Sequence, residues 1–172
     1  MIASSTLLTE HHRRELANSG ISDETIAAAG VFSQSSIRKK DKSLQQQLVF
    51  PYLDPAGRPY QRQDERPFIR WKPVWSEAVQ RTYAAQLKEP PKYLSHRGAG
   101  NRPYHSPANT ADPTYRIKLK RGGSKFPLLA TEGEKKTLKA NQENFLTIGL
   151  VGVYGCWRPP EWCKSPGTPT PA

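Results

Sequence analysis

The stretch from Pro127 to Val153 constrains this chain more than any other. Pro127-Leu128-Leu129-Ala130-Thr131 is a short apolar run that ends at Glu132-Gly133, helix-forming residues follow from Glu134 to about Glu143, and Leu146 to Val153 are apolar again. Strand, helix and strand at this spacing make a βαβ unit, which forces the two strands to run parallel. The first strand reads as buried. Two parallel strands alone would be left open and thinly covered, so a further apolar strand is expected to follow downstream.

The segment before this unit divides by its turn signals. Leu7, Leu8, His12 and Leu16 recur at helical spacing within residues 6–19, with Gly20 as a stop. Ser22 then caps a second short helix whose first turn carries Asp23 and Glu24 and which Gly30 closes. Together these predict a helical hairpin. Residues 33–46 are polar and basic without period, which predicts a loop or linker. Leu48 to Leu53 read as a strand, Asp54-Pro55-Ala56-Gly57 as a type I turn, and Arg58 to Asp64 as the returning strand, with Pro51 placing the first strand at an edge or bulge. Trp75, Val79, Tyr83 and Leu87 recur every four residues, so 73–88 reads as a helix or as an irregular insertion. A Gly-, Asn- and Pro-rich loop is expected to about residue 114, and Arg116 to Arg121 alternate like a strand with a cationic face. The fold class expected is α+β: an N-terminal helical hairpin and small β-rich middle over 1–125, the βαβ unit over 126–157, and a disordered tail over 158–172.

Lys and Arg outnumber Asp and Glu by 26 to 15 in the 172 residues, a net charge of +11. That excess favours a polyanion, since each cation placed near a phosphate releases condensed counterions. A membrane surface fits less well. The basic residues do not follow an amphipathic helix, and the apolar stretch from Leu146 to Trp157 is too short to span a bilayer. The alternative is that the charge only keeps the protein soluble. With Cys156 and Cys163 as the only cysteines and no charged-then-apolar leader, a cytoplasmic location is expected. Adjacent His11 and His12 point about 100° apart on a helix and do not converge on an ion. The two cysteines lack a second ligand pair at zinc-finger spacing.

Glu132 is the residue most suited to chemistry. A carboxylate at the C-terminal end of a parallel strand sits where α/β proteins bind ligands, and Gly133 allows the sharp turn into the helix. An acid there is also an ordinary helix N-terminal residue, so both readings stand. The order "SGIS-ETIAAAGV", "LVFPYLDPAGRPY", "PKYLSH", "LLATEG" resembles the catalytic core of bacterial, DnaG-type primases. Including "TEGEKKTLKA" and "GLVGVYGCW", the pattern over residues 10–157 looks most similar to the Toprim-like domain-of-unknown-function family 3854.

That resemblance implies a primase-like module of a plasmid, phage or mobile-element replication protein, with Glu132 as the Toprim glutamate, a general acid/base or a neighbour of Mg²⁺. It further implies that Arg62, Lys92 and Tyr93 face nucleotide or template. Lys118, Lys120, Arg121, Lys135 and Lys136 would extend a basic face toward single-stranded DNA or RNA, with a replicative helicase as a further partner. Toprim enzymes hold magnesium with an Asp-x-Asp on a later strand, and this sequence has no Asp after Asp112. The βαβ unit therefore reads as an incomplete Toprim domain, inactive by itself: either the chain is a fragment of a longer protein, or the fold has lost its active half. Two other readings remain: a non-catalytic single-stranded DNA-binding or loading domain, and a fragment of a Toprim-type nuclease.

Overall fold

The computed structural model describes residues 8–38, 44–62, 64–96, 100–121 and 127–151. Their order is α1 (Glu10–Ala17), α2 (Asp23–Ala29), β1 (Phe32–Ile37), β2 (Leu44–Pro51), β3 (Ile69–Pro73), α3 (Glu77–Ala84), β4 (Leu94–Ser95), α4 (Pro107–Ala111), α5 (Tyr115–Arg121), β5 (Leu129–Glu132), α6 (Glu134–Gln142) and β6 (Thr147–Leu150). The fold is α+β. An antiparallel sheet of order β1-β2-β3-β4 stands beside a two-stranded parallel sheet, β5-β6.

The helical hairpin forms where its caps place it. Thr9 caps α1 by accepting from the His12 amide, and Ser22 caps α2 by accepting from the Thr25 amide. Leu16, Ile21, Ile26, Ala29 and Val31 bury their side chains from this hairpin. His12 is fully buried, with Nδ1 2.7 Å from Ser33 Oγ, so it is a packed residue. Gln142, at the end of α6, receives the Ser22 amide at 2.7 Å and donates to the Gly20 carbonyl, which ties the hairpin turn to the βαβ unit.

Several expectations are corrected. Residues 33–46, expected as a loop, supply β1 and the start of β2, a hairpin zipped by polar side chains: Gln34 Nε2 donates to Gln47 Oε1 and Gln47 Nε2 to Ser36 Oγ, both at 2.7 Å. β2 is central and not an edge. Pro51 is tolerated because it is the last residue of β2 and lies beyond the β1 ladder, which ends at Phe32↔Val49. The turn at 54–57 forms, with the Gly57 amide on the Asp54 carbonyl at 2.9 Å. The returning segment is not a strand, however. It makes the isolated bridges Leu53↔Pro59 and Gln61↔Pro67, and the ladder partner of β2 is β3. The expected loop before residue 114 contains β4 and α4.

Arg116 to Arg121 are helical, because the inward face is Tyr115, Lys118 and Leu119 at i, i+3 and i+4, while Ile117 is exposed. The segment 73–88 resolves in favour of a helix, α3, with Val79 buried. Strand β5 is less buried than expected: Leu129, its first residue, and Leu128 just before it are each 43% exposed. The final 21 residues, including both cysteines, Trp157 and the tail expected over 158–172, lie outside the described residues. No helix among the described residues is long and apolar enough to cross a membrane.

The βαβ unit is present with its register, Leu129↔Thr147 to Glu132↔Leu150. It joins the core through Leu138 on α6 and through Tyr104, whose backbone exchanges hydrogen bonds of 2.8 and 2.9 Å with Gly149. That approach leaves no room for a side chain at Gly149. A Cβ there would lie 2.5 Å from Thr137 Oγ1 and 3.0 Å from Tyr104 Cβ. Thr137 Oγ1 is itself held by the Gly133 carbonyl at 2.9 Å and Thr131 Oγ1 at 2.8 Å, so it cannot step aside freely. Gly149→Ala is therefore expected to cost about 1–3 kcal/mol through overpacking, read from urea denaturation. An unchanged midpoint would contradict this packing.

Candidate functional site

The turn between β5 and α6 is built from backbone geometry first. Gly133 has φ 84° and ψ 166°, a region open essentially to glycine, and its amide donates to the Leu150 carbonyl at 3.0 Å. The Gly133 carbonyl receives both the amide and the hydroxyl of Thr137, which locks the first turn of α6. Glu132 is thereby held at the strand end, exposed, beside Leu150 of β6.

The next acid behaves differently. Glu134 is fully buried at the start of α6. Arg70 Nη1 on β3 donates to its Oε1 at 2.7 Å, and the Tyr52 hydroxyl donates to the same oxygen at 2.6 Å. Arg70 Nη1 also lies 3.4 Å from the Tyr52 oxygen, and its guanidinium sits 5.0 Å from the centroid of the Tyr93 ring. Burial works against the Arg70 charge, but Glu134 and the neighbouring tyrosines more than offset it and hold its pKa above the ordinary value. Burial, reinforced by the Glu134 charge, pushes the hydroxyl pKa of Tyr52, Tyr93 and Tyr104 upward, so all three stay neutral. Glu134 Oε2 and the Tyr104 hydroxyl are buried with no hydrogen-bond partner among the described residues.

A second charged node lies alongside. Arg70 and Lys72 are two apart on β3, so they share a face of the sheet. Lys72 Nζ donates to Glu15 Oε1 at 2.7 Å, and Lys135 Nζ donates to the same atom at 2.9 Å. One carboxylate from α1 thus bridges the antiparallel sheet and α6.

The residues singled out in the sequence fall in several places. Lys135 belongs to the Glu15 node, and Lys136 is exposed on α6. Both line a groove of about 480 Å³ along that helix. Lys120 lines a separate depression of about 300 Å³ with Arg58 and Arg116. Lys118 is paired with Asp112 at 2.7 Å, and Arg121 is exposed at the end of α5. Arg62 pairs with Asp64 at 2.7 Å within its own loop. Lys92 is exposed, while Tyr93 packs against the core 6.1 Å from Phe50. Sequence reasoning missed Tyr52, Arg70, Lys72, Glu15 and Glu134. The available signals were the second acid of Glu-Gly-Glu and the alternating cations of Ile69-Arg70-Trp71-Lys72-Pro73.

The donors present do not fit a magnesium site. Glu134 Oε1 is already taken by Arg70 and Tyr52, and no group of three or more His, Cys, Asp or Glu among the described residues could hold a metal ion. Glu132 alone supplies too few oxygens for an octahedral cation.

No family model matches the chain, so membership in family 3854 finds no support there, and no curated protein matches. Among solved structures the chain is similar to the DnaG catalytic core, with a TM-score of 0.45 and 14% identity over 88% of this chain and 49% of that one. It spans about half the length of that structure.

The Glu15 node predicts a pH dependence. Burial raises the Glu15 pKa, but hydrogen bonds from Lys72 and Lys135 outweigh it and hold the carboxyl below its ordinary 4.5. A lowered folded-state pKa contributes stability above the unfolded value, and that contribution disappears as pH falls through the folded value. Wild type should therefore be more stable than Glu15→Gln at neutral pH, with the gap closing below 4.5. Thermal melts across the acid range read this directly. A gap that is constant with pH would show that Glu15 contributes no ion pairing.

Proposed function

We propose that this chain is a nucleic-acid-binding, primase-like module of a DNA-replication protein that acts on single-stranded DNA or RNA. The observation that supports a primase-like module is the turn itself: an exposed carboxylate, Glu132, at the C-terminal end of a parallel strand, followed by Gly133 and by the buried Glu134 that Arg70 holds. Exposed Lys92, Lys120, Arg121 and Lys136 and the net +11 supply the sequence-independent attraction to phosphate. In a larger replication assembly with a helicase, this module would grip the strand while magnesium-dependent nucleotidyl transfer draws its metal-binding carboxylates from elsewhere. Binding without reaction by this chain alone is favoured by the sequestration of Glu134, which removes the second acid of the motif from any ligand.

Fluorescence anisotropy with a labelled oligothymidylate tests the reading. Log affinity should fall linearly with log salt, with a slope of about -0.7 for each phosphate contacted. Glu132→Gln should bind at least as tightly as wild type, since a carboxylate contributes nothing favourable to phosphate. No detectable binding at low salt, or an affinity flat against salt, would overturn the proposal.

A further inference from the structure

The groove along α6 has a composition that the charge argument alone does not explain. Its walls are apolar, from Leu129, Ala140 and Phe145, and its rim carries Lys135, Lys136 and Lys139 beside Ser19 and one carboxylate, Glu143, which is paired with Lys139. Phe145 is 59% exposed and Leu129 43%. An exposed phenylalanine usually needs no account, but the backbone at Phe145 is fixed on both sides. Its amide donates to the Ala140 carbonyl at 3.0 Å, and its carbonyl receives Asn141 Nδ2 at 2.8 Å and Thr147 Oγ1 at 3.0 Å. The residue before it, Asn144, takes φ 64°, a left-handed conformation that asparagine tolerates better than most side chains. A largely exposed aromatic side chain is thus carried on a pinned backbone.

The lysines follow the same helix. Lys135, Lys136 and Lys139 lie within the nine residues of α6, an element about 13 Å long that runs from the Glu132 turn toward Phe145. Lys135 and Lys139 are positioned by Glu15 and Glu143, respectively, while Lys136 is exposed. The cleft volume of about 480 Å³ falls within the roughly 300–1,000 Å³ of small-ligand sites.

We infer that this groove is a stacking site for single-stranded nucleic acid, in which Phe145 receives the face of a base and the exposed Lys136, backed by the paired Lys135 and Lys139, receives an adjoining phosphate. This rests on the nucleic-acid reading above and deepens it by naming the site. Aromatic stacking tolerates any base, because every base has a π face, whereas the lysines supply the salt-dependent part. The occupant is a strand with free bases. In a duplex the bases are stacked on one another and cannot reach the ring.

The test compares wild type, Phe145→Leu and Lys136→Ala for binding of a labelled oligothymidylate over a range of salt. Phe145→Leu keeps an apolar side chain but removes the π face, and should weaken binding about tenfold with an unchanged salt slope. Lys136→Ala should weaken binding and make the slope shallower by about 0.7. Both positions are exposed, so thermal melts of the variants should match wild type. An oligonucleotide carrying 5-iodouracil should crosslink to the peptide containing Phe145. If wild type binds with the expected salt dependence but Phe145→Leu binds equally well and no crosslink maps there, the groove assignment is overturned and the broader function stands. That outcome would leave the groove to a protein partner. If wild type does not bind at all, both fall.

Discussion

The buried pair between Arg70 and Glu134 is the interaction on which the arrangement depends. It joins residues 64 apart in sequence, one in the antiparallel sheet and one in the first turn of the α6 helix. A carboxylate with no solvent exposure can stay charged in the interior only if it is paired and hydrogen-bonded, and here Arg70 and the Tyr52 hydroxyl both approach Oε1. Such a pair adds little net stability compared with well-packed apolar side chains, yet removing one partner costs about 3–5 kcal/mol. Its value lies in geometry. Glu134 comes one residue after Gly133, so wherever Arg70 holds Glu134, the turn carrying Glu132 is held as well.

The other contacts between the two sheets reinforce this placement. Glu15 gathers Lys72 from β3 and Lys135 from α6, so three elements meet at one carboxylate next to the buried pair. Tyr52 serves both sides of the boundary. Its ring packs 4.9 Å from Phe68 and 5.1 Å from Tyr104, and its hydroxyl reaches Glu134. Tyr104 in turn pairs its backbone with Gly149 of β6. Polar contacts therefore flank the apolar junction that Leu138 makes between the core and the βαβ unit. On α6 Lys136 is left exposed, and the proposed nucleic-acid site uses the solvent-facing side of a helix that Glu134 and Lys135 tie inward by charge.

The βαβ unit was legible because its signals are local: two apolar runs, a Glu-Gly break and a helix of the right length. The helical hairpin was legible for the same reason, through its capping residues. The β1–β2 hairpin was not, because Ser33 to Ser36 and Gln45 to Gln47 carry no apolar alternation and pair through side-chain amides and hydroxyls. Alternation misled at Arg116 to Arg121, where Ile117 and Leu119 mimic a strand while buried Tyr115 and half-buried Lys118 and Leu119 define the inward helical face. At the site, Glu132 could be picked out from its place after a strand. Glu134 could not, since its burial is decided by Arg70 and Tyr52 on segments distant in sequence.

Amide hydrogen exchange at Gly133 and Thr137 tests the central claim most directly, measured in wild type, in Arg70→Met and in a double variant that also carries Glu134→Met. Arg70→Met leaves a buried carboxylate unpaired and should lose about 3–5 kcal/mol. The double variant replaces the pair by apolar groups and should recover much of that loss. If the pair positions the turn, however, the Gly133 amide, which donates to Leu150, and the Thr137 amide, which donates to the Gly133 carbonyl, should still exchange faster than in wild type. Wild-type protection at both amides in the double variant would contradict the account, because the turn would then be held without the pair.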